Sequence, residues 1–167
     1  LSEVIEKVVR DFKSTIEQKG VSLNFLGSAA KLPDVLADKS RVEQILINLI
    51  GNAAKFTKQG KITINIEVQE PFLKVRVADT GIGISEQNQA LLFRKFQQAG
   101  ESTLARDVTQ GTGLGLYIAR LLISKMGGTI GHEKTEMSKG STFAFTLPIA
   151  EKLGKQMGVA MGGEEST

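Results

Sequence analysis

Two asparagines four positions apart, Asn48 and Asn52, interrupt an otherwise apolar stretch, and Lys55 follows one turn beyond the second. At helical spacing all three side chains share a face. A buried amide must find hydrogen-bond partners or cost stability. The pair is therefore either a structural amide network beside a solvated lysine, or a set of oxygen ligands with a lysine placed for phosphate. Mg²⁺ is held by few protein oxygens together with phosphates and water. Two uncharged amides would recruit it only alongside an anionic ligand, so the second reading implies a nucleotide rather than a free metal site.

Asp79 leaves an alternating stretch directly before Gly81 and Gly83. Its carboxylate either braces a tight turn or accepts a hydrogen bond from an exocyclic amino group, with the two glycines letting backbone approach the ligand. A third constellation, Gly111-Thr112-Gly113-Leu114-Gly115-Leu116, runs into an apolar-periodic segment. Alternate glycines before a helix N-terminus offer backbone N–H groups to a phosphate; the plain alternative is a flexible joint. The dinucleotide fingerprint requires an early strand, glycine loop and helix, whereas these glycines come late, after a long polar stretch. No glycine-rich loop ends in Gly-Lys-Ser or Gly-Lys-Thr, which excludes a P-loop.

These groups need elements to hold them. Val4, Ile5, Val8, Val9, Phe12 and Ile16 form one helical stripe that Gly20 ends. Val21, Leu23 and Phe25 alternate as a strand. A second helix is predicted from Arg41 to about Phe56, with Val42, Ile45, Leu46, Leu49 and Ile50 facing the core and Ser40 with Glu43 as a capping box. Residues 61–68 and 72–79 form a strand pair broken at Glu70-Pro71. Ser85 is placed to cap a short helix reaching about Phe93. Residues 97–110 are polar, irregular and longer than a usual connection, as in a functional lid or a disordered loop. Leu116, Ile118, Ala119, Leu122 and Met126 mark a further helix stopped by Gly127-Gly128, and strands follow near residues 129–133 and 141–147. Beyond Pro148 the apolar pattern fails, so a domain over residues 1–149 and a flexible tail over 150–167 are expected, with a short helix near 151–157 as a possibility within the tail.

Composition sets the outer bounds. The chain has 167 residues, 41% of them apolar, enough for one domain with a sizeable core. It has no Cys and one His, which excludes disulfides and Cys-ligated metal centres and argues against a His-rich one. Its 21 basic and 18 acidic residues are scattered and it has a single Tyr, so no basic stripe suggests nucleic acid. Apolar runs are far shorter than a membrane span. A cytoplasmic domain is expected, whether or not a parent protein is membrane-anchored.

Taken in order, Asn48…Asn52…Lys55-Phe56-Thr57, Asp79-Thr80-Gly81-Ile82-Gly83, Phe93-Arg94-Lys95-Phe96 and Gly111-Thr112-Gly113-Leu114-Gly115-Leu116 resemble the four nucleotide-binding boxes of sensor histidine kinase catalytic domains. These belong to the ATPase superfamily that includes DNA gyrase, the Hsp90 chaperones and the MutL proteins. The likeness runs from about residue 1 to 147, and residues 98–106, with Ser102, Thr103 and Arg106, look most like the lid of hybrid-type kinases. The resemblance implies an α/β two-layer sandwich of the Bergerat type, a mixed sheet backed by helices with a mobile ATP lid.

It also implies roles. Asn52 would bind Mg²⁺ through its side-chain oxygen, with Asn48 assisting at the metal or phosphates and Lys55 meeting the phosphates. Phe56 matches an aromatic residue that packs against adenine. Asp79 would accept the adenine amino group, with Gly81 and Gly83 beside the base, and Ser141 matches a hydroxyl that helps the aspartate. Gly111, Thr112, Gly113, Leu114, Gly115 and Leu116 would form the phosphate loop, and Arg106 would reach the γ-phosphate. Asn48, Lys55 and Arg106 are thus the catalytic candidates.

Hydrolysing members of the superfamily carry a Glu four residues before the metal-binding Asn, where this chain has Asn48. The resemblance therefore implies a kinase, whose imidazole nucleophile comes from another domain and needs alignment more than deprotonation. An ATP-hydrolysing, chaperone-like member and a nucleotide-independent docking domain are the alternatives. Ser138 stands where the family often has Gly. His132-Glu133-Lys134-Thr135 superficially resembles the phospho-acceptor signature, but His132 falls in a predicted strand and Thr135 one position early, so it is expected to be an ordinary strand residue. The chain is expected to be a largely monomeric piece of a longer kinase, unable to autophosphorylate alone. Its partners would be the parent's dimerisation and phospho-acceptor His domain and, through the full-length protein, a response regulator.

Overall fold

A computed structural model describes residues 1–27, 31–95 and 114–151. In chain order it contains α1 (Ser2–Glu17), β1 (Val21–Leu26), α2 (Lys39–Phe56), β2 (Gly60–Gln69), β3 (Phe72–Asp79), α3 (Glu86–Gln89), α4 (Gly115–Lys125), β4 (Ile130–Glu136) and β5 (Gly140–Pro148). Strand β1 pairs parallel with β2, and the remaining neighbours in the order β1-β2-β3-β5-β4 are antiparallel. The result is a mixed five-stranded sheet with helices packed on one face.

That arrangement follows from which residues alternate. Ile62, Ile64 and Ile66 of β2 stand opposite Asp79, Val77 and Val75 of β3, and Val75 opposite Phe145 of β5. These apolar side chains are buried on one face of the pleat. Onto them pack Ile5, Val8 and Ile16 of α1, Ile45, Leu46, Leu49 and Ile50 of α2, and Ala119 and Ile123 of α4. Asp79 and Ser141 lie on this same inner face, so the register that builds the core also carries the polar pair to its margin.

The opposite face is polar. Glu133 Oε1 accepts from Lys74 Nζ at 2.8 Å and its Oε2 from Arg76 Nε at 2.5 Å, while Arg76 also pairs with Glu67. These hydrogen bonds hold the Glu133 carboxyl below its ordinary range. A bulge between His132 and Lys134 accompanies them: His132 opposes Phe143, but Lys134 opposes Thr142 and Thr135 opposes Ser141. The inserted residue reverses the facing of everything after it, turning Thr135 inward.

Three local expectations are corrected. The N-cap of α2 is Asp38, whose Oδ1 accepts from Arg41 N–H at 3.0 Å. Ser40 instead donates to that carboxylate at 2.6 Å, and Glu43 is engaged by Lys7 at 2.6 Å, so no capping box forms. A carboxylate two residues earlier is a competent cap and takes a free N–H of the first turn. Ser85 precedes α3 without a side-chain cap, and α3 ends at Gln89 rather than near Phe93. Strand β4 reaches Glu136, three residues beyond the expected end, because the bulge lets pairing continue. At the other end of β5, Ile149 bridges Val35, and Ala150 N–H donates to Asp34 O at 2.9 Å. The tail from residue 152 on, and with it nearly all of the suggested helix at 151–157, lies outside the described residues.

Candidate nucleotide-binding site

Helix α2 supplies one wall. Its apolar positions face the sheet, which leaves Asn48, Asn52, Lys55 and Phe56 along a neighbouring stripe. At one end of that stripe Asn48 Nδ2 donates to Gly115 O at 3.1 Å, tying α2 to the first turn of α4. A Cβ on Gly115 would sit 3.4 Å from Asn48 Oδ1, a tight approach that a side chain would crowd. At the other end Phe56 O accepts from Ile82 N–H at 3.2 Å. Eight residues of helical rise separate these anchors, about 12 Å.

Between them Asn52 is half-buried and makes no side-chain hydrogen bond among the described residues, which leaves its amide oxygen available. Lys55 Nζ lies 5.2 Å from the centroid of the Phe56 ring. That ring is exposed.

Asp79 closes the sheet end of the site. Its Oδ1 accepts from Gly81 N–H at 2.8 Å, which bends the chain away from β3. Burial pushes its carboxyl above the ordinary carboxylate value, opposed by the Gly81 and Ser141 N–H groups and by the Thr57 hydroxyl. Thr57 is itself buried; its hydroxyl favours the charge on Asp79 but meets no partner at full hydrogen-bond geometry. A half-buried carboxyl raised by burial is a stronger acceptor than an exposed one.

The glycines around Asp79 are required by close approach. A Cβ on Gly81 would lie 2.4 Å from Phe56 O; on Gly83 (φ +74°) it would lie 2.2 Å from Glu136 O; on Gly140 (φ +109°) it would lie 1.9 Å from Asp79 O. Ser138 adopts φ +63° and donates its N–H to Ile82 O at 2.8 Å. It holds the left-handed conformation that a glycine takes without strain.

The structure thus brings Asn48 to Gly115, Phe56 to Gly81, and Asp79 to Gly81 and Ser141. Leu114 is the N-cap residue of α4, its carbonyl accepting from Ile118 N–H at 2.8 Å, and Leu116 packs against the core. His132 stands in β4 opposite Phe143, as a strand residue. Phe93 meets the Phe143 ring edge-on at 6.3 Å. Arg106, Gly111, Thr112, Gly113, Phe96 and the whole suggested lid at 97–110 lie outside the described residues.

Two residues here are not among the predicted site residues. Thr57 follows the Lys55-Phe56 pair, and a hydroxyl immediately after a helix end was its available signal. Thr135 Oγ1 accepts from Ile84 N–H at 2.8 Å and lies 2.9 Å from Ser141 Oγ. Strict alternation from Ile130 places Thr135 on the outer face, so only the bulge brings it here.

Comparison with known proteins places the fold. Residues 37–151 match the family model described as histidine kinase-, DNA gyrase B- and HSP90-like ATPase. The Non-motile and phage-resistance protein of Caulobacter vibrioides is 40% identical over 89% of this chain and 18% of its own length. The signal transduction histidine-protein kinase BarA of Escherichia coli K12 is 39% identical over 89% of this chain and 16% of its own. The chain thus spans less than a fifth of either relative. The catalytic domain of the histidine kinase ThkA superposes with a TM-score of 0.75 at 34% identity, covering 89% of this chain and 92% of that one. Full-length ShkA in complex with AMPPNP also gives 0.75, at 31% identity, over 89% of this chain and 30% of that one. With a mixed sheet backed by helices, an asparagine stripe anchored at a helix start and an aspartate before spaced glycines, the chain belongs to the histidine kinase-, DNA gyrase B- and HSP90-like ATPase family, in its histidine-kinase catalytic-domain form.

Proposed function

We propose that this domain binds Mg-ATP and donates its γ-phosphoryl group to a histidine on a separate dimerisation domain of a two-component sensor kinase. The observation that carries this is the α2 stripe, anchored about 12 Å apart to the α4 start at Asn48 and to the Asp79 loop at Phe56. That separation matches a nucleoside triphosphate laid along the helix, base at Asp79 and phosphates at the N-terminus of α4, where free N–H groups favour anions.

Asp79 accepts the adenine amino group, Phe56 and Gly83 border the base, and Ser141 supports the aspartate. Lys55 and the backbone of Leu114 and Gly115 face the phosphates, together with Gly111, Thr112 and Gly113 and with Arg106 at the γ-phosphate by sequence match. Among the described residues no three His, Cys, Asp or Glu side chains gather to hold a metal. A divalent cation held here would come with the phosphates, and the amide oxygen of Asn52, without a partner among the described residues and seconded by Asn48, suits such a shared site. Bound there, Mg²⁺ would neutralise charge on the phosphates. The residue preceding Asn52 by four is an amide engaged with Gly115, not a general base, which favours transfer to an external imidazole over hydrolysis.

The partner is the phospho-acceptor domain of the parent protein, and a response regulator follows in the relay. No described helix is long and apolar enough to cross a membrane. The deciding experiment mixes this domain with a dimerisation domain from its parent and labelled ATP. Acid-labile, base-stable phosphate on the acceptor supports the assignment. ATP hydrolysis by this domain alone, with no transfer, would assign it to the hydrolysing branch, and absence of any nucleotide binding would leave a docking domain.

A further inference from the structure

Thr135 occupies a position that the bulge in β4 creates. Glu133 is held on the outer face by Lys74 and Arg76, Lys134 opposes Thr142, and Thr135 turns inward opposite Ser141. Its hydroxyl oxygen accepts from Ile84 N–H at 2.8 Å, the residue directly after Gly83, and lies 2.9 Å from Ser141 Oγ. The Asp79 loop is therefore pinned at both ends, by Asp79 on Gly81 N–H and by Thr135 on Ile84 N–H, with Ile82 held between Phe56 O and Ser138 N–H.

A hydroxyl has one proton and two lone pairs. Having accepted from Ile84, Thr135 can give its proton to Ser141 Oγ, which leaves the Ser141 proton free. Ser141 stands opposite Asp79 in the β3–β5 register, and its backbone N–H already favours the carboxylate. One side chain on an adjacent strand thus sets the height of the Gly83–Ile84 backbone and the direction of the Ser141 hydroxyl.

We infer that Thr135 is a positioning residue for purine recognition, acting through Ile84 and Ser141 to hold the aspartate end of the pocket in register with the 6-amino group of adenine. This rests on the nucleotide-binding reading above and extends it to base selectivity. Because Thr135 is placed to act through its hydroxyl, its loss should affect a base that donates to Asp79 more than one that does not.

The test measures affinity for ATP and for inosine triphosphate, whose 6-position carries an oxygen, in the wild type, Thr135→Val and Thr135→Ser, with melting on the same samples. The expected result is that Thr135→Val reduces the ATP-over-inosine preference about tenfold, equivalent to about 1.4 kcal/mol, and that Thr135→Ser restores it. Equal weakening of both nucleotides by Thr135→Val, with the preference unchanged, would show a purely structural hydroxyl and overturn the inference. If the valine variant fails to fold, Thr135→Cys, with its weaker hydrogen bonding, is read by the same criterion, a reduced or an unchanged preference. A wild type that binds neither nucleotide overturns the nucleotide assignment itself. A wild type that binds both equally overturns adenine selectivity, and Thr135's part in it falls as well.

Discussion

Asn48 and Gly115 are 67 residues apart in sequence, yet the asparagine amide donates to the glycine carbonyl at 3.1 Å. This bond fixes the start of α4 against α2, and with it the helix N-terminus to which phosphates are assigned. It engages the amide nitrogen, and the amide oxygen has no hydrogen-bond partner among the described residues.

Replacing Asn48 should therefore have two separable effects. Asn48→Ala removes one partly buried hydrogen bond and should cost about 1 kcal/mol of stability, together with nucleotide affinity as the α4 start loosens. Asn48→Asp sets a carboxylate against a carbonyl oxygen and should cost more. Denaturant melts with ATP titrations on the same samples read both, and wild-type stability in Asn48→Ala would mean that the Asn48–Gly115 bond contributes nothing.

Asn52 should behave in the opposite way. It is half-buried and its side chain makes no hydrogen bond among the described residues. Asn52→Ala should shift stability by less than about 0.5 kcal/mol, while abolishing the gain in nucleotide affinity on adding Mg²⁺. Calorimetric titration with and without Mg²⁺ checks this; an undiminished Mg²⁺ effect would remove Asn52 from the metal site.

Asp79 predicts a pH dependence. Burial raises its carboxyl above the ordinary 3.8, so the folded state binds this proton more tightly than the unfolded chain. The ionised form costs stability above the raised value, and that cost fades as pH falls toward 3.8. ATP affinity runs the other way, because accepting from the adenine amino group needs the ionised form. Affinity measured from neutral pH downward should start to fall above the usual carboxylate range, and Asp79→Asn should abolish that acid limb. The same variant should narrow the ATP-over-GTP preference by about 1–3 kcal/mol, since an amide both donates and accepts. A wild type without preference for ATP would end the adenine role of Asp79.

Ser138→Gly should stabilise the domain. The residue sits at φ +63°, where a side chain costs about 1–2 kcal/mol, partly offset by the greater freedom of glycine in the unfolded chain. A net gain of about 0.5–1 kcal/mol is expected, with the Ser138 N–H to Ile82 O bond retained and ATP affinity unchanged. A lower denaturation midpoint would mean that the Ser138 side chain contributes more than its backbone strain removes.

The residue types at Asn48, Asn52, Asp79 and the spaced glycines suggest a nucleotide site but leave a purely structural reading open at each, and only their order along the chain carries the resemblance to a nucleotide-binding family. Apolar periodicity was enough to outline α1, α2 and the strand pair β2–β3, because burial of one face enforces the pattern locally. What periodicity could not supply was set by contacts between distant segments. At the start of α2, Asp38 takes the cap while Glu43 pairs with Lys7 on another helix rather than closing a capping box. The inward turn of Thr135 depends on a bulge held by Lys74 and Arg76 from β3, a strand more than fifty residues earlier. Alternation is a local rule with a period of two, and a single inserted residue, stabilised only across the sheet, reverses its phase; that reversal is decided by tertiary structure alone.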